Sequence, residues 1–268
     1  MMTKFKRSLA ATVAVLGVLS VGLGAAQADD SAKDWSTIRI GSEGAYPPFN
    51  FLSPSGELQG FDIDIAKALC DHMKVKCDFV AQDWDGAIPA LQNGKFDAFI
   101  ASMSITEERL KQIDFTNKYY NTPGALAVAK DSTIADLQPA SFDGKTVGVQ
   151  GSTTHAQAVE KFLPDADEKV YPTAEEYQLD MANGRLDGVS DDIVVLSKWL
   201  ESEAGACCKI LGSFPADEAI YGKGAGIGLR KGDEKLKKMF NDAIVAIRAD
   251  GTYKQIQDKY FKFDVYGK

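Results

Sequence analysis
Apolar positions along the chain fall into short continuous runs, separated by longer stretches in which they recur at helical spacing. Thr37–Glu43 and Lys76–Ala81 have the strand pattern, and Phe61–Met73 between them predicts an amphipathic helix. Ser53-Pro54-Ser55-Gly56 is a turn signal. Trp84–Gln92 predicts a second helix, and the apolar run opening at Phe96, just past Asn93-Gly94, predicts a short buried strand. After Tyr120 the alternation restarts. Strands are predicted at Ala125–Ala129, Thr146–Gln150, Lys169–Tyr171 and Leu186–Val189, with helices at Thr154–Phe162, Ala174–Ala182 and Ile193–Glu201. A strand at Ala225–Leu229 precedes two helices, Glu234–Ala249 and Tyr253–Tyr260. Strands alternating with helices predict an α/β fold with largely parallel sheets.

Two internal echoes divide this pattern. Asn93-Gly94-Lys95-Phe96-Asp97-Ala98 is matched by Asn183-Gly184-Arg185-Leu186-Asp187-Gly188, and Ile40-Gly41-Ser42-Glu43-Gly44 by Val147-Gly148-Val149-Gln150-Gly151. Two echoes in the same order predict two similar α/β lobes. Each lobe offers polar groups at the carboxyl ends of its strands, where open sheets bind ligands. In the register of the first echo, Ser102 falls opposite Asp192.

The stretch Ser102-Met103-Ser104-Ile105-Thr106-Glu107-Glu108-Arg109 carries the most specific chemistry. Thr106 is a helix cap, and the two glutamates behind it suit the positive end of the helix dipole. Arg109 is unfavourable to that dipole, which suggests a role other than surface charge. Ser102 and Ser104 are two apart in an extended segment and share a face. Hydroxyls, helix-start amides and a guanidinium together make a receptor for a small carboxylate. Asp192 supplies a carboxylate in the other lobe, so a zwitterion held between the lobes satisfies both. Asp191 should turn the other way by strand alternation.

Charge and composition narrow the setting. Met1–Arg7 is basic, Leu9–Gly24 is apolar, and Ala26-Gln27-Ala28 fits a cleavage site, so residues 1–28 are expected to be a secretory signal peptide. Removing them, with Lys4, Lys6 and Arg7, takes the formal charge from −8 to −11 and leaves 240 of 268 residues. An acidic exported chain is neither a nucleic-acid binder nor suited to anionic lipid. Cysteines in an oxidising compartment favour disulfides. Cys70 and Cys77 can close a small loop, while the adjacent Cys207 and Cys208 admit free thiols, a vicinal disulfide or an intermolecular bond. With only His72 and His155, the chain has little material for a zinc or histidine-based catalytic site.

Tyr46-Pro47-Pro48-Phe49, Gly60-Phe61-Asp62-Ile63-Asp64, Asp83-Trp84-Asp85, Ser102-x-Ser104-Ile105-Thr106-x-x-Arg109, Gln150-Gly151-Ser152-Thr153 and Asp250-Gly251-Thr252 form an ordered set. That set resembles the polar amino-acid solute-binding proteins of ABC importers, in particular the lysine/arginine/ornithine- and histidine-binding branch, down to the spacing of Cys70 and Cys77. The resemblance implies a two-lobe periplasmic-binding-protein fold of type II, hinged, with ligand in the interlobe cleft. Lobe 1 would take residues 29–120 plus 222–268, and lobe 2 residues 121–221. Arg109 and Ser104 would hold the ligand α-carboxylate, helped by Ser102, Ser152 and Thr153, and Asp192 the α-ammonium. Tyr46 and Trp84 would sandwich the ligand side chain, with Glu43 at its distal end. An acid there selects arginine, lysine or ornithine.

The resemblance further implies a periplasmic monomer that hands its amino acid to an inner-membrane ABC permease, without cofactor, metal or catalytic activity. Three positions depart from the branch: Glu43 stands where Asp is usual, Ala101 where serine is frequent, and Thr154 where Gln is common. They leave histidine or an arginine-derived opine as alternative ligands. An enzymatic alternative on the same fold is a cyclic-acid dehydratase, with Glu43 or Asp192 as acid or base.

Overall fold
A computed structural model describes residues 33–267, so the signal-peptide expectation lies outside the described residues. The first half runs β1 (Thr37–Ser42), β2 (Ala45–Tyr46), β3 (Asn50–Leu52), β4 (Leu58–Gln59) and α1 (Phe61–Met73). It continues with β5 (Lys76–Ala81), α2 (Ala87–Gln92), β6 (Ala98–Phe99), α3 (Glu107–Leu110) and β7 (Asp114–Phe115). Next come β8 (Gly124–Ala129), β9 (Thr146–Gln150), α4 (Thr154–Phe162), β10 (Asp167–Tyr171), α5 (Ala174–Ala182), β11 (Gly188–Asp192), α6 (Ile193–Leu200), β12 (Cys208–Ser213) and α7 (Glu218–Tyr221). The chain closes with β13 (Gly228–Leu229), α8 (Glu234–Ala249) and α9 (Thr252–Tyr260).

Two five-stranded sheets organise these elements, ordered β5-β1-β6-β13-β7 and β10-β9-β11-β8-β12, beside a small sheet β2-β3-β4. The two orders are the same pattern. In each, a first strand lies between two parallel neighbours, and a reversed strand follows. The sheets are therefore mixed, not largely parallel as expected. The chain passes to the second sheet after β7 and returns before β13, so β8 and β13 run against their neighbours without a crossover helix.

The internal echoes are structurally real, down to register. Ile40 pairs with Ala98 and Gly41 with Phe99 in one sheet, as Val147 pairs with Gly188 and Gly148 with Val189 in the other. A Cβ on Gly41 would meet the Phe96 ring at 2.8 Å, and one on Gly148 would meet Leu186 at 2.6 Å. Both glycines are thus required by the same close approach. Asp97 accepts from the Arg39 amide at 3.0 Å and Asp187 from the Thr146 amide at 2.9 Å, tying a helix-to-strand turn to β1 in one sheet and to its counterpart β9 in the other.

Differences from expectation are local. The Trp84–Gln92 helix opens as a 3-10 turn at Trp84–Gly86. The strand expected at Leu186–Val189 extends to Asp192, burying both aspartates. Of Ala225–Leu229, only Gly228–Leu229 pairs regularly, with an isolated bridge from Ala225 to Ser104 and Tyr120. β12 had no clear strand signal, because it is a half-buried edge strand with an irregularity between Ile210 and Gly212. Cys70 is bonded to Cys77, tying the end of α1 to β5. Cys207 is bonded to the adjacent Cys208 as a vicinal disulfide, one of the three expected states.

The core of the first half gathers α1, α8 and α9 around Phe49, Phe61, Leu69, Phe240 and Ile244, all essentially inaccessible to solvent. Phe49 stacks on Tyr120 at 4.6 Å and meets Phe261 at 5.5 Å, so the C-terminal segment covers the base of the Tyr46–Phe49 turn. No helix among the described residues is long and apolar enough to cross a membrane.

Candidate functional site
Arg109 is positioned by the cap its sequence foretold. The Thr106 hydroxyl accepts the Arg109 amide at 3.3 Å and starts the four-residue helix α3. The guanidinium is buried, lies 5.1 Å from the centroid of the Trp84 ring, and donates to two main-chain carbonyls, Ser104 at 3.0 Å and Ser152 at 3.1 Å. Among the described residues it has no carboxylate within ion-pair distance. Burial without a counter-charge lowers its pKa to about 10. A buried cation left in that condition is a strong anion receptor.

Arg109 lines a cavity together with Glu43, Tyr46, Trp84, Ala101, Ser102, Ser104, Gln150, Thr153, Thr154 and His155. A second cavity shares Tyr46, Ser102, Ser104, Thr154 and His155 with it and adds Asp192, Tyr120, Asn121, Thr122 and Tyr221. The two are neighbouring compartments along one cleft between the sheets.

The acids sit away from the guanidinium. Asp192 ends β11 and caps α6, accepting the Val194 amide at 2.7 Å and the hydroxyl of Thr122. Its burial raises its pKa to about 7, against the lowering effect of those bonds. Glu43 follows β1 and accepts from the Gln150 side chain at 2.6 Å across the cleft. Burial pushes it to about 7 despite that bond, with Asp191, Asp83 and Asp85 adding to the rise. The cleft thus pairs one desolvated cation with two desolvated carboxyls.

The hydroxyl groups divide by role. The Ser102 hydroxyl donates to Asp62 at 3.1 Å, so it offers a ligand lone pairs and not its proton. That suits an ammonium better than the carboxylate role expected of it. Thr153 is likewise engaged, donating to the Gln150 carbonyl at 2.7 Å and capping α4 through the Ala156 amide at 3.1 Å. It brings the N-terminal, electropositive end of α4 to the cavity wall. Ser152, with a left-handed φ of 58°, keeps its side chain exposed and presents its carbonyl to Arg109. It is the one expected site residue that lines neither cavity.

Gln150, His155, Tyr120 and Tyr221 line the cleft without having been singled out as contacts. Gln150 was legible: the echo places it opposite Glu43, and the two meet. His155 gave no signal beyond following the α4 cap. It is partly buried near Asp191, and desolvation holds its pKa below the usual histidine value. Asp191 lines neither cavity, as alternation predicted, but it is not idle: it accepts the hydroxyls of Tyr46 and Tyr177. Among the described residues, no cluster of three or more His, Cys, Asp or Glu is arranged to hold a metal ion.

Residues 38–263 match the bacterial extracellular solute-binding proteins, family 3. The chain belongs to that family. Among its relatives, an L-arginine-binding protein of Pseudomonas aeruginosa is 48% identical over 233 residues, 86% of this chain and 90% of the relative. A lysine/arginine/ornithine-binding periplasmic protein of Escherichia coli is 41% identical, covering 93% of this chain and 96% of the relative. Among solved structures, a Salmonella typhimurium periplasmic binding protein described as highly specific for arginine superposes with a TM-score of 0.78. It shares 32% identity over 84% of this chain and 99% of its own. For this family 3 solute-binding protein, the two sheets are therefore the cores of two lobes, and the cleft between them is the place to look for solute.

Proposed function
We propose that the chain is the periplasmic capture component of an ABC importer, taking up a basic amino acid, with arginine first, and passing it to an inner-membrane permease. The observation that carries this reading is the buried Arg109 guanidinium facing the cleft without a carboxylate of its own, with Asp192 and Glu43 at other points of the same cleft. An α-carboxylate answers Arg109, an α-ammonium answers Asp192 and Ser102, and a cationic side-chain tip answers Glu43. Tyr46 and Trp84 provide the aromatic walls for the stem between them. The names of the arginine- and lysine/arginine/ornithine-binding relatives support the same ligand class.

The lobes are taken as 29–120 plus 222–268, and 121–221. Every strand of the first sheet falls within the first set and every strand of the second within the other, which supports these bounds. The protein acts as a monomer that binds without transforming its ligand.

Glu43 also gives a reason to keep histidine as a second reading. With a pKa of about 7 and an amide already bonded to it, Glu43 is partly protonated near neutrality and then accommodates a neutral polar tip. A thermal-shift panel of amino acids, followed by calorimetry and recovery of the ligand, tests the whole reading. Arginine, lysine or ornithine should raise the melting temperature most, and the ligand should return unchanged. A panel led by an acidic or aliphatic amino acid would overturn the ligand class.

A further inference from the structure
Among the described residues, three hydrogen bonds donated by side chains cross from one lobe to the other: Gln150 to Glu43 at 2.6 Å, Arg109 to the Ser152 carbonyl at 3.1 Å, and the Tyr46 hydroxyl to Asp191. The first two engage groups that face the first cavity, so a solute seated there competes for them or rearranges them. The third differs. Asp191 lines neither cavity and is only 2% exposed. A ligand therefore has no access to it.

Both Asp191 oxygens are engaged. One accepts the Tyr46 hydroxyl and the Asp192 amide at 2.7 Å, with the His155 ring nitrogen 3.4 Å away; the other accepts the Tyr177 hydroxyl. Tyr177 lies on α5, in the same lobe as Asp191, whereas Tyr46 lies on β2 of the other lobe. The carboxylate is thus held ready by its own lobe and receives Tyr46 when the lobes meet. Tyr46 in turn is stacked on Phe49 at 6.0 Å, and its ring forms a wall shared by both cavities.

We infer that Asp191 is a closure anchor. It captures the Tyr46 hydroxyl only when the lobes are together, which stabilises the closed state independently of ligand and fixes the Tyr46 ring as a cavity wall. Opening separates the pair. A bond made only in the closed state slows opening more than it speeds encounter, so its signature is in the dissociation rate. Asp191 is a positioning residue on this account, since it acts through Tyr46 and touches no solute.

The test uses Tyr46→Phe, which keeps the ring and removes the hydroxyl, alongside Tyr177→Phe and Asp191→Ala. Small-angle scattering of the unliganded proteins reads closure without requiring any ligand to be known. Stopped-flow fluorescence of Trp84 with arginine reads the rates; that arm rests on the proposed ligand class. Tyr46→Phe and Asp191→Ala should enlarge the unliganded radius of gyration. They should also raise koff about tenfold, the loss expected of a charge-assisted hydrogen bond, with kon within twofold. The double variant should be no worse than Asp191→Ala alone, because the Tyr46 bond is already lost there.

Tyr177→Phe should leave the unliganded radius unchanged. If Asp191 merely supports the folding of its own lobe, Tyr177→Phe and Asp191→Ala will behave alike and Tyr46→Phe will be silent. Unliganded scattering and koff of Tyr46→Phe within twofold of the parent, or additive effects in the double variant, would overturn the anchor. If no amino acid binds at all, the scattering arm still decides the matter.

Discussion

Glu43→Gln isolates charge at the distal end of the cleft, because glutamine keeps the shape and can still accept from Gln150. Its effect should depend on pH in a way that follows from the structure. In the empty site Glu43 has a pKa of about 7, so pairing it with a guanidinium first requires it to lose a proton. That costs about 0.1 kcal/mol at pH 8, about 0.4 at pH 7 and about 1.4 at pH 6. A charge-assisted bond exceeds a neutral one by roughly 1.4 kcal/mol, a factor of about ten in affinity. At pH 8 the parent should therefore bind arginine about tenfold or more tightly than Glu43→Gln. By pH 6 the two should nearly converge, since the parent has lost the advantage that the variant never had. Glutamine binding should change little between them at either pH. Isothermal calorimetry with arginine and glutamine at pH 6, 7 and 8 measures this, and proton release can be checked in buffers of different ionisation enthalpy. An arginine-to-glutamine ratio unaffected by the substitution at all three pH values would show that Glu43 does not meet the ligand tip, and the basic-ligand reading would lose its main support.

Arg109→Ala should abolish binding of every amino acid tested, because all share the carboxylate it faces; the loss should be at least ~2–5 kcal/mol by calorimetry, and near-parental affinity would refute the assignment. Saturating arginine should shrink the radius of gyration measured by small-angle scattering, and superimposable curves would speak against hinged closure. Folding stability should also depend on pH in a definite direction. Glu43, Asp62 and Asp192 are raised to about 7, 6 and 7 by burial, so the folded protein holds more protons than the unfolded chain between about pH 4 and 7. Stability of the empty protein should fall as pH rises through that window, by on the order of a few kcal/mol for each carboxyl, with the lowered pKa of His155 opposing by one proton. Melting curves from pH 4.5 to 8 should show that decline without ligand and a flatter profile with arginine; a melting temperature that climbs with pH in the empty protein would contradict it.

What the chain disclosed in advance was mostly local or repeated. Thr106 capping α3, the α1 and α8 helices, and the matched Asn-Gly turns all have short-range causes, such as side-chain capping, amphipathic period and a left-handed glycine. The cleft residues named from the motif set are brought together, with Ser152 contributing its main chain in place of its side chain. What stayed hidden depends on events across the seam. Nothing near Asp191 in sequence says that Tyr46, 145 residues away, will reach it. Nothing beside Ser102 says that its proton belongs to Asp62, 40 residues earlier. The strands at β8 and β13 were expected but their antiparallel direction was not, for a related reason: it is set by where the chain changes lobes, which no window of hydrophobicity contains.

The repeated architecture gives the polarity of the cleft a physical origin. Both lobes keep the same scaffold, with a glycine under a bulky side chain and an aspartate bonded to an amide of β1 or β9. The strand ends that meet at the cleft differ in charge. Position for position, Glu43 faces Gln150 and Ser102 corresponds to Asp192, while Arg109 has its helix cap in one lobe and a carbonyl partner in the other. Neither lobe alone therefore offers a complete site. The first lacks a cation receptor near its guanidinium, and the second supplies Asp192 without a charged anion receptor. Closing the lobes over a molecule with one charge would leave an opposite group buried and unanswered, a cost of several kcal/mol. A zwitterion is the smallest solute that answers both. On the proposed reading, Glu43 then decides whether a third charge is welcome, from the same strand-end position whose counterpart in the other lobe, Gln150, carries a neutral amide.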